Sequence, residues 1–355
     1  MRRRVAFVLP SLALGGAERI ATSLIGALDR THFEPVLVAL TAEGPLAHSL
    51  AGDVRVVDLG RARLRGALPA LVRGLRGVRA DVVVSTLGYL NLALLAVRPL
   101  LPAATRIVVR EANTPSLALP HAPYALATRL GYRLLYPTAD AVLCQHRGTL
   151  AEMAERFAVA PARLHELANP VDEDALRAAA ATRSAAGPGV RLVAAGRLTR
   201  QKGYDRLIPL LAELAPSTTL TIFGDGPERG ALETLAHQPA VRGRVRLAGT
   251  ADPLAPELAA ADACVLASRW EGLPNVALEA LACGTPVIAT PECGGLAALA
   301  RAGAVTIAPW RAPFRDTLAA VEPTPGGVRP RPSLLPAEFR LAAVTRAFEA
   351  VLESL

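Results

Sequence analysis

At 355 residues the chain exceeds the size at which one hydrophobic core stops growing, so two domains are expected. With 52% hydrophobic and only 4% aromatic residues, it is excluded from the disordered class over most of its length, and helices packed on sheets are favoured over an all-β sandwich. Residues 1–189 hold 22 basic side chains against 15 acids, an excess of +7, and residues 190–355 hold 17 against 16, an excess of +1. The basic surface therefore belongs to the first half, where it suits phosphate groups or an anionic membrane face, while its scattered arginines without interleaved aromatics argue against nucleic acid.

The chain opens with "MRRRVAFVLPSLALGGA", whose basic start, apolar run and small residues have the layout of a secretory signal. Pro10 and Ser11 interrupt that run and "AERIATSLIGAL" continues as an amphipathic helix, so a buried strand over residues 5–9, a glycine loop and a helix are predicted instead. Apolar runs then alternate with helical patterns: "VAFVL", "PVLVAL", "VRVVDL", "DVVVST", "RIVVR" and "AVLC", followed by "VRLVAA", "TLTIF", "VRLAG", "ACVLAS" and "PVIAT". Runs apolar on both faces need helices on both sides of a parallel sheet, and the fold class is α/β with two similar doubly wound halves. The run at 82–97 contains Ser85, Thr86, Tyr89 and Asn91 and is short for a membrane span; a strand plus a buried helix explains it.

Between the halves, "NPVDEDALRAAAATRSAAGPG" is polar enough to be a linker. The predicted organisation is a first domain over 1–170, a linker over 171–189, a second domain over 190–332 and a terminal helix over 333–355. After the Pro-rich connector at 322–332, Leu341, Val344, Phe348, Val351, Leu352 and Leu355 form one apolar helical stripe that must dock, and the first domain is the expected place. In the first half, "GRARLRGALPALVRGLRGVR" sets Leu64, Leu68, Leu71 and Leu75 at helical spacing with six arginines. It reads either as a basic amphipathic helix lying on anionic lipid or as a helix covering the sheet with its arginines in water. Cys144, Cys264, Cys283 and Cys293 lack metal-ligand spacing and are expected to be free thiols in a reducing cytoplasm.

The stretch "EGLPNVALEALACGTPVIAT" (271–290) carries the most chemistry. Gly284 ends a helix, Pro286 prevents its continuation, and the helix starts near Pro274, where a missing N–H costs nothing. Its first turn at 274–277 offers unpaired N–H groups and the positive end of the helix dipole to a phosphate. Glu271 then lies in the loop before the helix, able to meet neutral hydroxyls beside that phosphate, while Glu279, about a turn and a half on, reaches another part of the same ligand. Hydroxyls at both ends of a phosphate suggest a sugar nucleotide, although the spacing also fits an ordinary loop residue and an ordinary helix residue.

The neighbouring residues weigh against the ordinary reading. "WEGLPNVALEALACGTPVIAT" resembles the donor-binding signature of family 4 of the retaining glycosyltransferases, and "LPSLALGGAER", "NPVD", "AAGRLTRQKGYDRLI" and "IFGDGPER" resemble other segments of that family in the expected order. The resemblance covers most of residues 5–300 and is more specific in the second half. It implies the GT-B fold, two Rossmann-like domains with a cleft between them. It also implies retaining, metal-independent transfer of a hexose from a nucleotide-sugar, with a UDP-sugar the expected donor, to a glycan or polyprenyl-diphosphate-linked acceptor. The "EGLPNVALEA" version is similar to transferases of bacterial surface-polysaccharide and lipid-linked oligosaccharide assembly, which implies a cytoplasmic enzyme, peripheral at the inner face of the cell membrane.

By the same resemblance, Arg197 and Lys202 grip the donor diphosphate and neutralise charge on the leaving nucleotide, and Glu271 joins them in the catalytic set. Lys202 is the single lysine among 39 basic residues, retained where a compact ammonium differs from a planar fork. Gly196, Gly272, Leu273, Pro274, Asn275 and Glu279 are donor-binding candidates. Gly15 and Gly16 would let the first-domain backbone approach the donor phosphate, and Gly224 and Asp225 either edge the nucleotide pocket or make a turn. No metal and no other cofactor is expected. One departure is that many family members carry a histidine near the end of a central first-domain strand, where this chain reads "VVREANTPS" and has Ala112; Glu111, Asn113 or the later His121 could contact the donor sugar or acceptor instead, and none of them is assigned the role. Two rival readings remain, a sugar-nucleotide epimerase on the same fold and a non-catalytic sugar-nucleotide-binding partner subunit.

Overall fold

The computed structural model describes residues 2–61, 63–122, 124–181, 189–301, 303–324 and 330–355. The chain divides into two units, Met1–Pro170 with Leu341–Leu355, and Val171–Arg340. The first holds strands β1 (Arg3–Leu9), β2 (Phe33–Ala39), β3 (Arg55–Asp58), β4 (Val82–Ser85), β5 (Arg106–Glu111), β6 (Ala141–Cys144) and β7 (Leu164–Glu166). They pair in parallel in the order β3-β2-β1-β4-β5-β6-β7. The second holds β8 (Arg191–Ala195), β9 (Thr219–Phe223), β10 (Val245–Gly249), β11 (Ala263–Leu266), β12 (Val287–Ala289) and β13 (Val305–Ile307). These are also parallel, in the order β10-β9-β8-β11-β12-β13. In each sheet the strand order reverses beside its first strand, at β1/β4 and at β8/β11. Such switch points open a crevice at the carboxyl ends of the strands, where α/β proteins bind ligands.

All eleven predicted strands are present, and β7 and β13 were not predicted. Each has three residues, too few to show a period. Successive side chains of β1 serve opposite faces of the first sheet. Val5, Phe7 and Leu9 join one core with the helix Gly16–Ala27, and Ala6 and Val8 join another with the helices Leu64–Val78 and Gly88–Ala96. The helix Leu341–Ser354 completes the first of these cores through Val344, Phe348, Val351 and Leu352, with the Phe348 ring 6.0 Å from that of Phe7.

Several expectations change in detail. Residues 173–180 of the expected linker form the helix Glu173–Ala180, in which the Asp172 side chain accepts from the Ala175 N–H at 3.1 Å. A segment read as polar and flexible is thus a capped helix of the second unit; residues 182–188 lie outside the described residues. So does part of the expected connector at 322–332, over 325–329. Around that part, Thr324 N–H bonds Asp262, Arg331 bonds the Ala261 carbonyl and the Thr285 hydroxyl, and Leu334 N–H bonds the Leu281 carbonyl. These ties keep the chain on the second unit beyond residue 332, to Arg340.

The helix Leu64–Val78 buries Ala67, Leu71, Leu75 and Val78 in the core while Arg61, Arg63, Arg65, Arg73, Arg76 and Arg79 stay exposed. Leu71 and Leu75 of its apolar stripe pack on the sheet while Leu64 and Leu68 stay half-buried, an arrangement that fits the reading of a helix covering the sheet with its arginines in water. Among the described residues no helix is long and apolar enough to cross a membrane. All four cysteines are free and buried.

Candidate functional site

The second unit gathers most of the candidate residues at the carboxyl ends of β8, β9 and β11. After β8 the backbone enters Gly196 with φ +148°, and after β9 it enters Gly224 with φ +132°. Both angles favour glycine, and both positions are also crowded. A Cβ on Gly224 would lie 2.1 Å from the Gly196 carbonyl, and one on Gly196 would lie 2.8 Å from Lys202 Cε. The two loops are stitched by Gly196 N–H to the Phe223 carbonyl and Leu198 N–H to the Asp225 carbonyl, each 2.9 Å.

A third loop, after β11, is pressed against the first. Gly203, φ +68°, leaves no room for a Cβ, which would fall 2.0 Å from the Ala267 carbonyl. Arg269 N–H donates to the Gln201 carbonyl at 2.7 Å, and Gln201 Nε2 donates to the Trp270 carbonyl at 3.0 Å. Arg206 reaches the Ala267 and Ser268 carbonyls at 3.0 and 2.8 Å, and Arg269 grips both carboxylate oxygens of Asp205 at 2.7 Å. This lattice brings together two side chains 69 residues apart: Lys202 Nζ lies 2.5 Å from Glu271 Oε1. Ser268 Oγ donates to the same oxygen at 3.0 Å, and Glu271 is 7% exposed.

Glu271 stands outside the following helix, in an isolated bridge with Cys293, its N–H donating to the Glu292 carbonyl at 3.0 Å. The helix Asn275–Ala282 begins with Pro274 as its cap, and the chain leaves it through Gly284 at φ +74°. Glu279 is half-buried within it and Leu273 is buried before it. The Gly272 carbonyl accepts from Gly295 N–H at 3.0 Å. The predicted ammonium, carboxylate and helix start therefore occupy adjoining loops beside the β8/β11 switch point.

The remaining candidates differ in their surroundings. The Arg197 side chain is exposed and its guanidinium has no partner among the described residues. Asp225 accepts from Arg229 Nε at 3.0 Å and Gly226 N–H at 2.8 Å, bonds that hold its carboxyl below the ordinary value; it fastens its own turn. Gly15 and Gly16 lie in the first unit, at the start of the helix Gly16–Ala27 after β1. A Cβ on Gly15 would sit 1.9 Å from Glu18 Oε2, so glycine there makes room for a first-turn carboxylate.

At the end of β5, Glu111 is buried, with Oε2 accepting from Tyr132 and Tyr136 hydroxyls at 2.9 and 2.6 Å. Burial raises its pKa, against the pull of those hydroxyls. The Asn113 N–H approaches its other oxygen at 3.4 Å, and His121 lies on the surface. The preceding Arg110 is buried too, bonded to Thr86 and Asn169, and burial lowers its pKa to about 10. Glu111 and Arg110 are thus anchored inside the first unit.

Sequence reasoning missed Ser268, Gln201 and the Asp205–Arg269 pair, because nothing local marks a residue whose task is to hold another loop. It also passed over Asp172-Glu173-Asp174, an Asp-x-Asp triplet. In the structure Asp172 caps its helix and Glu173 pairs with Arg340 at 2.6 Å.

Comparison with known proteins bears on the family and the fold. A family model described as Glycosyltransferase Family 4 matches residues 14–175, and one described as Glycosyl transferases group 1 matches residues 189–320. The lipopolysaccharide core biosynthesis glycosyltransferase LpsE of Rhizobium meliloti (strain 1021) is 46% identical over 99 residues, 28% of this chain and 29% of the relative. An N-acetylgalactosamine-N,N'-diacetylbacillosaminyl-diphospho-undecaprenol 4-alpha-N-acetylgalactosaminyltransferase of Campylobacter jejuni subsp. jejuni serotype O:2 is 29% identical over 192 residues, 54% of this chain and 52% of the relative. The matches thus span from under a third to about half of these relatives. Among solved structures, Anabaena Alr3699/HepE in complex with UDP and glucose superposes with a TM-score of 0.81 at 17% identity, covering 100% of both chains, a likeness of fold.

Proposed function

Because this chain belongs to the family 4 glycosyltransferases, we propose that it transfers a hexose from a UDP-sugar to a glycan or polyprenyl-diphosphate-linked acceptor in surface-polysaccharide assembly, with retention and without a metal. The Lys202–Glu271 pair at 2.5 Å, set beside the helix that starts after Pro274, carries this reading. On it, the donor diphosphate lies between the helix start and the two cations Arg197 and Lys202. Lys202 then shares its ammonium between Glu271 and the leaving phosphate, and its contribution grows as the glycosidic bond breaks and negative charge accumulates. Glu271 receives the sugar hydroxyls and Glu279 the ribose. Two relatives support the acceptor class and donor of this reading: the named substrate of the Campylobacter enzyme is a diphospho-undecaprenol, and the Anabaena structure holds UDP and glucose. An enzyme of this kind works at the cytoplasmic face of the membrane.

The test is a screen of UDP-, GDP- and ADP-sugars for donor turnover, repeated in excess EDTA. Turnover of a UDP-sugar that persists in EDTA is expected. Preference for another nucleotide overturns the donor, and a loss restored by Mg²⁺ overturns the account of charge stabilisation by the side chains. Tight UDP binding with no turnover on any donor and acceptor extract overturns the enzymatic reading as a whole.

A further inference from the structure

Between the helix Gly16–Ala27 and strands β1 and β4 the first unit has a cavity of about 10 Å³, the space of one water-sized body. Phe7, Leu9, Ile20 and Leu24 line it with hydrocarbon, and Thr86 and Arg110 line it with polar groups. All six residues are at most 5% exposed.

The charge of Arg110 is not answered by the protein around it. Its guanidinium carries five N–H donors. Nη1 donates to the Thr86 hydroxyl at 3.2 Å and Nη2 to the Asn169 side chain, both neutral acceptors, while Nε is buried without a partner among the described residues. Glu111, next in sequence, turns to the opposite face of β5, where its carboxyl accepts from Tyr132 and Tyr136. A buried lysine can shed its proton, but a guanidinium keeps its charge at neutral pH. A positive charge therefore stays inside the first unit with no carboxylate among the described residues in contact with it, and buried charges are ordinarily paired.

We propose that this cavity binds a halide ion, chloride in ordinary buffers, which accepts from Arg110 Nε and from the Thr86 hydroxyl and neutralises the guanidinium. The Thr86 oxygen already accepts from Nη1, so its own proton is available to the ion. The volume admits a single atom and excludes carboxylate, phosphate and sulfate. Hydrocarbon walls suit a large, weakly hydrated monatomic anion, because its desolvation costs least. A water in the same place would satisfy Nε and leave the charge uncompensated. Thr86 follows β4, Arg110 belongs to β5 and Asn169 follows β7, so the bound ion strengthens a tie among three strand ends of the first unit. The inference uses neither donor nor acceptor and is independent of the transferase reading.

The test is urea unfolding of the full chain, followed by circular dichroism, in sodium chloride and in sodium gluconate at equal ionic strength. Chloride is expected to raise the midpoint saturably, lowering the unfolding constant about elevenfold at ten times its dissociation constant. Sodium bromide should act in the same way, and Arg110→Gln should lose the difference between the salts. Equal midpoints in chloride and gluconate overturn the proposal and give the cavity to water. A chloride effect that survives in Arg110→Gln also overturns it, by placing the ion elsewhere. Crystals of the parent protein soaked in sodium bromide decide the matter even where Arg110→Gln does not fold. An anomalous peak within hydrogen-bond reach of Arg110 Nε is expected, and its absence from the cavity overturns the site.

Discussion

Lys202 and Glu271 depend on each other for stability before either acts on a ligand. Their side chains are 17% and 9% exposed, and breaking so buried a pair by removing one partner costs about 3–5 kcal/mol, because the other charge stays behind without compensation. Lys202→Ala is therefore expected to lower stability as well as cutting turnover by roughly 100- to 1000-fold, the penalty for removing a preorganised donor to a developing anion. Lys202→Met/Glu271→Gln, which removes both charges, should recover much of the stability and none of the turnover. Urea unfolding and donor turnover on the two single variants and the double variant check this, and additive stability losses would break the argument. Lys202→Arg should also lose activity, since the lysine stem runs over Gly196, with Cε 2.8 Å from where a Cβ would stand, and a planar fork cannot keep that path. Glu279→Ala should instead weaken binding of free UDP through the ribose; unchanged affinity by calorimetry would remove that role.

At the scale of elements, the amino ends of the sheets are latched by aspartates. Before β11, Asp262 is 2% exposed and accepts from Arg191 N–H at 2.7 Å and from its guanidinium at 2.9 and 3.2 Å, at the start of β8. It also accepts from Thr324 N–H at 2.9 Å. Burial alone would raise its pKa; the Arg191 side chain and the two backbone N–H groups hold it below the ordinary carboxylate value. With the folded pKa below the unfolded one, its stabilisation is present above the unfolded pKa, near 3.8, and is lost as pH falls through the folded value. Asp262→Asn should cost about 1.5–3 kcal/mol at neutral pH and flatten the acid limb of the stability profile. Urea midpoints followed from neutral to acid pH test this, and a limb as steep in the variant as in the parent would assign it to other carboxylates.

For the whole molecule, the terminal helix matters most, because residues 341–355 belong to the first unit while the chain just before them belongs to the second. Phe348 is fully buried against Phe7, and Phe348→Ala should destabilise the first unit by about 3–5 kcal/mol. Both tryptophans, Trp270 and Trp310, lie in the second unit, so their fluorescence reports that unit alone while circular dichroism reports both. The variant should show an early loss of circular dichroism with the tryptophan transition unmoved. Equal shifts in both signals would mean that the units unfold as one.

What the sequence determined by itself was local. Runs such as "VAFVL" and "ACVLAS" are apolar on both faces, and a chain of that pattern has to be covered by helices on both sides, so the parallel sheets were legible. Pro274 and Gly284 bound a helix by their own backbone limits, which places Glu271 outside and Glu279 inside. The stripe from Leu341 to Leu352 showed that a last helix must dock. Tertiary structure decided the rest. That Lys202 meets Glu271 depends on loops after β8 and β11 lying side by side, a consequence of strand order that no spacing within either loop contains. The two leucine-bearing helices of the first unit show the same limit from the other side. Both Leu64–Val78 and Ala125–Leu135 carry leucine and arginine at helical spacing, yet the first buries its apolar row and the second exposes it. Periodicity sets which side chains share a face. Only the packed sheet and the hydroxyls drawn to Glu111 decide which face turns inward.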